Sequence, residues 1–223
     1  GCVPLIAIAT TAGTGSEVTS ASVFTNQRTG RKLPIRHPSL IPKIAIVDPA
    51  LMLSMPPGVT VSSGIDALSH AAECFTQVRE HPFADTLALQ AIKLIVDNLP
   101  RAVQNGNDEE ARSNMALAAV MAGTAFEAGG LQFHAYAQAL GGKFRAAHGV
   151  TCGIALRAGL RQILPAATGK LAQMACAFGI DTGGLSTDQA AQKAVDAAIT
   201  FITKMGIPKV TEATKATPVS YTH

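Results

Sequence analysis

Two architectures in succession, an α/β part followed by an all-α part, are what this 223-residue sequence predicts. Three observations carry that expectation. Short apolar runs separated by turn residues fill positions 1–50. After Asp48-Pro49 the spacing of apolar residues shifts to the i, i+3, i+4 pattern of helices. The composition, 48% hydrophobic with only 15% charged residues and no Trp, describes an alanine-rich globular chain with enough apolar surface for a real core.

The first element is the run Pro4 to Ala9 (PLIAIA), which stops at Thr10, Thr11 and Ala12 ahead of Gly13 and Gly15. It predicts a buried strand that feeds a phosphate-binding turn. Ser22 to Thr25 and Lys43 to Val47 (KIAIV) predict further strands, with a turn at Thr29-Gly30 leading into Arg31-Lys32. Helical patterning begins near Leu51 and is expected to break at Pro56-Pro57-Gly58. From Ala84 the apolar positions 84, 87, 88, 91, 92, 95 and 99 share one face until Pro100, where the helix is expected to end. Asn107 with Glu110 fits a capping pattern for a helix running to about Phe126. Later helices are expected at Leu131 to Gly141, Lys170 to Phe178 and Thr187 to Met205. The patterning therefore divides the chain into a β-rich portion at 1–50 and a helical portion at 51–213. Residues 214–223 are expected to be a non-native or disordered tail, and further chain is expected to precede Gly1.

The net charge of +3 is small for this length, and its densest basic group is only Arg28, Arg31 and Lys32, so nucleic acid is not expected as a partner. Cys2, Cys74, Cys152 and Cys176 form no Cys-x-x-Cys pair, which argues against a zinc knuckle or disulfide framework and for a reducing compartment. No apolar run approaches the roughly 20 residues that span a bilayer, so no membrane is expected and the cytoplasm is the expected location.

Asp66 and His70 lie four residues apart in GIDALSH, one turn apart on the same helix face. His134 and His148 follow, with Gly141 and Gly142 between them to turn the chain back. One carboxylate and three imidazoles suit a divalent ion such as iron or zinc. An Asp and a His at this spacing also occur by chance in many helices, so the surroundings decide. His37, His81 and His223 sit in Pro-rich or terminal stretches and are expected to be solvated. Glu73 reads as a helical surface glutamate, with support of His70 as the alternative. Cys74 and Phe75 read as core, and Cys152 as a small buried hydrophobe, with lining of the site as its alternative.

Three motifs then occur in order: TTAGTGSEVT at 10–19, GIDALSHAAE at 64–73 and FHAYAQALGGKFRAAHG at 133–149. Together they resemble the iron-containing alcohol dehydrogenase family from about Pro4 to Pro208. The resemblance implies part of a Rossmann-like nucleotide-binding domain followed by an all-helical metal-binding domain, the dehydroquinate synthase-like architecture. It implies Asp66, His70, His134 and His148 as ligands of Fe2+ or Zn2+, and Thr10, Thr11, Thr14 and Lys32 as contacts to NAD or NADP. The family's glycine-rich pyrophosphate segment would lie upstream of Gly1. Gln138 stands where the family often has a further His, and is expected to position substrate without relaying a proton. Leu156-Arg157-Ala158-Gly159 replaces a common Leu-Pro-His and is expected to alter a pocket wall or loop entry.

The implied activity is hydride transfer between an alcohol, or its aldehyde or ketone, and NAD(P), with a small-molecule substrate and a homo-oligomeric parent. Maleylacetate reductase-like and hydroxyacid-oxoacid transhydrogenase activities are the related alternatives. The presence of Asp66 favours the metal-dependent reading over the former. A truncated, non-catalytic metal-binding helical module is the alternative of another class.

Overall fold

The computed structural model of the chain describes residues 3–29 and 32–214. Gly30 of the expected turn, Arg31, Cys2 and residues 215–223 of the expected tail, His223 among them, lie outside them.

Strand β1 (Ile6–Ala9) pairs in parallel with β4 (Ile44–Val47), Ile6 opposite Ile44 and Ala9 opposite Val47. Between them β2 (Ala21–Thr25) and β3 (Lys32–Arg36) form an antiparallel hairpin. The apolar run at 4–9 is a strand, but its expected burial is not found: Ile6 and Ile8 are 57% and 56% exposed, and only Ala9 is buried. The alternation of a strand explains this, since the isoleucines share one face of a two-stranded sheet and nothing among the described residues covers it.

Helix α1 (Pro57–Phe75) begins where a break was expected. Pro56 and Pro57 occupy the cap and first-turn positions, where a missing N–H leaves no hydrogen bond unmade, so they start the helix. The segment near Leu51 is a short 3-10 turn, Pro49–Met52, capped by Asp48. From Gly64 to Phe75 every residue of α1 is buried, because α2 (Pro82–Gln104), α3 (Glu109–Glu127) and α5 (His148–Ile163) pack around it.

Helix α2 continues through Pro100 for another turn. Leu99 and Ala102 are almost fully buried on either side of the proline, and Arg101 pairs with Asp108 at 3.0 Å and Glu110 at 2.6 Å, so packing outweighs the lost backbone bond. The cap of α3 is Asp108, whose carboxylate accepts from the Ala111 amide, rather than Asn107. Helices α4 (Gln132–Phe144), α6 (Thr168–Ala177) and α7 (Thr187–Lys204) lie where the patterning placed them, α7 starting in a capping box of Ser186 and Gln189. The short α8 (Val210–Thr214) takes in the first residue of the expected tail. Among the described residues no helix is long and apolar enough to cross a membrane.

Two close approaches fix how the layers meet. A Cβ on Gly149 would lie 1.8 Å from the Ser62 carbonyl oxygen, so only glycine lets the start of α5 touch α1. Gly15, at φ +60°, sits with its Cα where a Cβ on Gly123 would fall 2.9 Å away, which docks the turn after β1 onto α3.

Candidate metal centre

The buried middle of α1 supplies Asp66, 3% exposed, and one turn later His70, 5% exposed. A carboxylate has no business in an all-round apolar environment without compensation, and here imidazoles provide it. Helix α4 presents His134 in its first turn, 4% exposed. Arg145, at φ 53° in the left-handed region, ends α4, and after two further residues α5 starts with His148 as its first residue. The contact of Gly149 with Ser62 holds that residue against α1.

The result is a convergence on one Asp66 oxygen. Its Oδ1 lies 3.1 Å from His134 Nε2 and 3.5 Å from His148 Nε2. The Cys152 thiol, one turn along α5 from His148, donates to the same oxygen at 3.3 Å. Among the described residues, ligating atoms of Asp66, His134, His148 and Cys152 all lie within 4.8 Å of one another.

His70 is adjacent but stands apart from that foursome. Its ring stacks on His134 at 4.4 Å and on Phe126 at 5.4 Å between centroids. Its Nδ1 is buried with no hydrogen-bond partner among the described residues. Burial, only partly offset by Asp66, brings its pKa down to about 4, so the ring is neutral at ordinary pH.

Glu73 completes the centre from α1, and it is 4% exposed rather than a surface residue. Its Oε1 lies 2.5 Å from His134 Nδ1, while its Oε2 accepts from the amides of Phe133 at 2.6 Å and His134 at 3.1 Å. One side chain therefore caps α4, whose own Leu131 offers no side-chain cap, and orients the His134 ring. The support goes to His134, not to His70.

The electrostatics describe a site waiting for positive charge. Burial opposes a proton on His134, but hydrogen bonds with Asp66, Cys152 and Glu73 outweigh it and push the pKa up to about 12. Burial likewise opposes the charge on Asp66, yet His70, His134 and His148 hold its carboxyl well below the usual range. Burial lowers His148 and raises the Cys152 thiol to about 12. The residues fit a divalent ion: an electropositive centre takes the place of the shared proton, and neutral His70, stacked on His134, keeps a buried Nδ1 with no hydrogen-bond partner among the described residues.

The expected nucleotide contacts lie on the adjoining loop and hairpin. Thr10, Thr11 and Thr14 are exposed after β1, and the Thr14 hydroxyl donates to Ser16 Oγ at 3.2 Å. A Cβ on Gly13 would lie 2.7 Å from that of Ser63, so this loop rests on α1 less than a turn before Asp66. Lys32 and Gln138 line a common cavity of about 540 Å³ with Thr29, Leu33 and Gly142. A larger cavity of about 860 Å³ beside Arg79 and Lys170 reaches the centre only through the back of Glu73. Gln138, on the wall of the smaller one, is one turn along α4 from His134. None of the four clustered donors lines either cavity.

Leu156 to Gly159 lies inside α5 and forms no loop entry. Arg157 donates to the carbonyls of Ile207 and Pro208, tying α5 to the link between α7 and α8. His37 and His81 are exposed as expected, and each caps a helix start. The sequence reading underrated Glu73 and Cys152. The available signal was their spacing, seven residues after Asp66 and four after His148.

Known proteins place this arrangement. Residues 60–215 match the family model described as the Fe-containing alcohol dehydrogenase family, C-terminal, and residues 1–49 match that of iron-containing alcohol dehydrogenase. The NAD-dependent methanol dehydrogenase of Bacillus methanolicus is 42% identical over 92% of this chain and 54% of its own length. The crystal structure of 1,3-propanediol oxidoreductase superposes with a TM-score of 0.93 at 38% identity, covering 98% of this chain and 57% of that one. Sulfoacetaldehyde reductase from Bifidobacterium kashiwanohense, solved in complex with NAD+, gives 0.86 at 35% identity, covering 99% and 57%. The chain thus spans about half the length of the relatives it matches. With Asp66, His134 and His148 brought together on a helical domain behind a partial Rossmann-like region, the chain belongs to the iron-containing alcohol dehydrogenase family.

Proposed function

We propose that the protein is a metal-dependent oxidoreductase that moves hydride between a primary or secondary alcohol, or its aldehyde or ketone, and NAD or NADP. The observation that carries this reading is the convergence of Asp66, His134 and His148 next to neutral His70, directly behind the Thr-rich loop. The names of its relatives, an NAD-dependent methanol dehydrogenase and a reductase solved with NAD+, support it.

On this reading Asp66, His70, His134 and His148 hold the ion, Fe2+ or Zn2+. When bound, that ion supplies Lewis acidity toward the substrate oxygen. The chain's own residues do the rest. Glu73 keeps a proton on His134 Nδ1 and so leaves Nε2 free to ligate. Gln138, half-buried at the cavity wall, donates to or accepts from a substrate hydroxyl but exchanges no proton. Thr10, Thr11 and Thr14 offer hydroxyls and exposed amides to the ribose and pyrophosphate, and Lys32 adds a positive charge. Residues 1–50 serve the cofactor and residues 51–213 the metal. The substrate is a small molecule, the setting cytoplasmic, and the parent a homo-oligomer.

One observation favours a second reading. Four protein donors, Asp66, His134, His148 and Cys152, are enough to close a coordination shell, as in a non-catalytic metal-binding module. Reduction of NAD or NADP by short alcohols, measured on the metal-loaded protein, separates the two. Turnover that disappears with His134→Ala supports the dehydrogenase. Stoichiometric metal without nucleotide binding or turnover overturns it in favour of the closed module.

A further inference from the structure

We infer that Arg36 is a positioning residue for the metal centre: it holds the Phe126 ring, that ring sets the plane of His70, and the β2–β3 hairpin is thereby fastened to the metal site. The inference rests on the metal-binding reading above and deepens it.

A ligating imidazole needs its ring plane fixed, and a hydrogen bond at its second nitrogen ordinarily does this. Glu73 does it for His134. His70 has no such bond at Nδ1, which is buried without a hydrogen-bond partner among the described residues. Stacking holds this ring instead. It lies 4.4 Å from His134 and 5.4 Å from Phe126 between centroids, tilted by only 14° and 15°, an arrangement in which flat rings attract one another.

Phe126 is itself held from the hairpin. The Arg36 guanidinium carbon lies 4.6 Å from the centroid of its ring, near enough for a cation–π attraction. Arg36 Nη2 in turn pairs with Glu127 Oε1 at 3.4 Å. Glu127 also accepts from the Ser20 amide at 2.9 Å and from the Ser20 hydroxyl at 2.8 Å. Ser20 precedes β2 and Arg36 ends β3, so both strands of the hairpin close on the last turn of α3. Phe126 and Glu127 are the final residues of that helix: one reaches a metal ligand and the other grips the hairpin.

Strand β3 then joins the two halves of the proposed function. Lys32, assigned above to the nucleotide, opens the strand, and Arg36 closes it. An ion that fixes His70 restrains Phe126 and so favours the docked hairpin; by linkage, a docked hairpin favours the ion to the same degree. Glu127 alone would tether the hairpin without involving the ring. The contribution of Arg36 to metal affinity is therefore what separates positioning from simple attachment.

The test loads the full chain anaerobically with Zn2+, in wild type, Arg36→Ala, Phe126→Leu and Phe126→Tyr. Chelator competition reads the affinity, and hydrogen–deuterium exchange reads the β2–β3 amides. Phe126→Leu should weaken zinc binding about two- to tenfold and Arg36→Ala about two- to fivefold. Phe126→Tyr, which keeps the ring, should stay within about twofold of wild type. Zinc should slow exchange of the hairpin amides in wild type but not in Arg36→Ala. Wild-type affinity in Arg36→Ala, or hairpin exchange that responds to zinc equally in that variant, overturns the inference while leaving the metal site standing. A folded wild type that binds no zinc overturns the inference and the metal-binding reading together. The Arg36 side chain is 41% exposed, so its replacement leaves the core intact and decides the question even where a Phe126 variant fails to fold.

Discussion

Replacing Glu73 with glutamine keeps the side chain's size but removes one of its two acceptor ends. In the native arrangement Oε2 accepts two backbone amides and Oε1 faces His134 Nδ1. The lowest-penalty orientation of the glutamine keeps its oxygen on the two amides, because the alternative leaves two buried N–H groups opposed by donors. Its NH2 group then points at Nδ1 and requires that nitrogen to accept. In the neutral ring that ligates a metal, the one remaining His134 proton is then favoured on Nε2, the atom aimed at Asp66 and the metal position. Metal affinity should therefore fall about 10–100-fold, or about 1.4–2.7 kcal/mol, while folding stability, with both cap bonds retained, should fall by only about 1 kcal/mol. Competition with a chromophoric chelator measures the first, and urea unfolding of the metal-free chain the second. Nitrogen NMR shifts of His134 in the metal-loaded chain report the tautomer directly. Unchanged metal affinity in Glu73→Gln, or an unfolding loss as large as the binding loss, would refute this account.

Three further outcomes follow from single contacts. Gly149→Ala places a methyl 1.8 Å from the Ser62 carbonyl oxygen, so the start of α5 must shift; unfolding should show a loss of at least about 2 kcal/mol, with metal affinity reduced alongside it. Burial raises the pKa of Glu17 above its ordinary 4.5, so the folded chain holds that proton more tightly than the unfolded chain. Stability is therefore lost as pH rises from 4.5 through the folded pKa, and Glu17→Gln should be stabilising at pH 7 with the gain vanishing below about pH 4.5, as read from denaturant midpoints. Lys32→Ala removes a partly buried charge from the cavity it shares with Gln138, and should weaken NADH binding several-fold in a fluorescence titration while leaving metal content unchanged.

What could be read in the sequence follows from which signals survive burial. Strands β1 and β4 announced themselves as apolar runs, but a run does not say what will cover it, and Ile6 and Ile8 emerged exposed. Helices α4 and α7 kept their period. Helix α5 did not, because Gly149, Gly153 and Gly159 interrupt the pattern and residues 151–156 are buried on every side, which erases the polar face that marks a helix. Missing α5 hid the spacing of His148 and Cys152. The same effect hid Glu73: on a helix buried all round, like α1, sequence does not distinguish a solvated glutamate from one that spans to another helix. That Asp66, His134 and His148 come together was legible from residue type, spacing and family resemblance. The stacking of His70 on His134, rather than in the foursome, depends on ring orientation and has no sequence signature.

The central claim is that this chain folds a metal site. Its most direct test is the elemental content of the purified, anaerobically handled chain, compared with a His134→Ala, His148→Ala double variant whose helical signal is intact. The account predicts near-stoichiometric iron or zinc in wild type and none in the variant. A folded wild type that holds no metal after reconstitution, or a variant that holds as much, would contradict it.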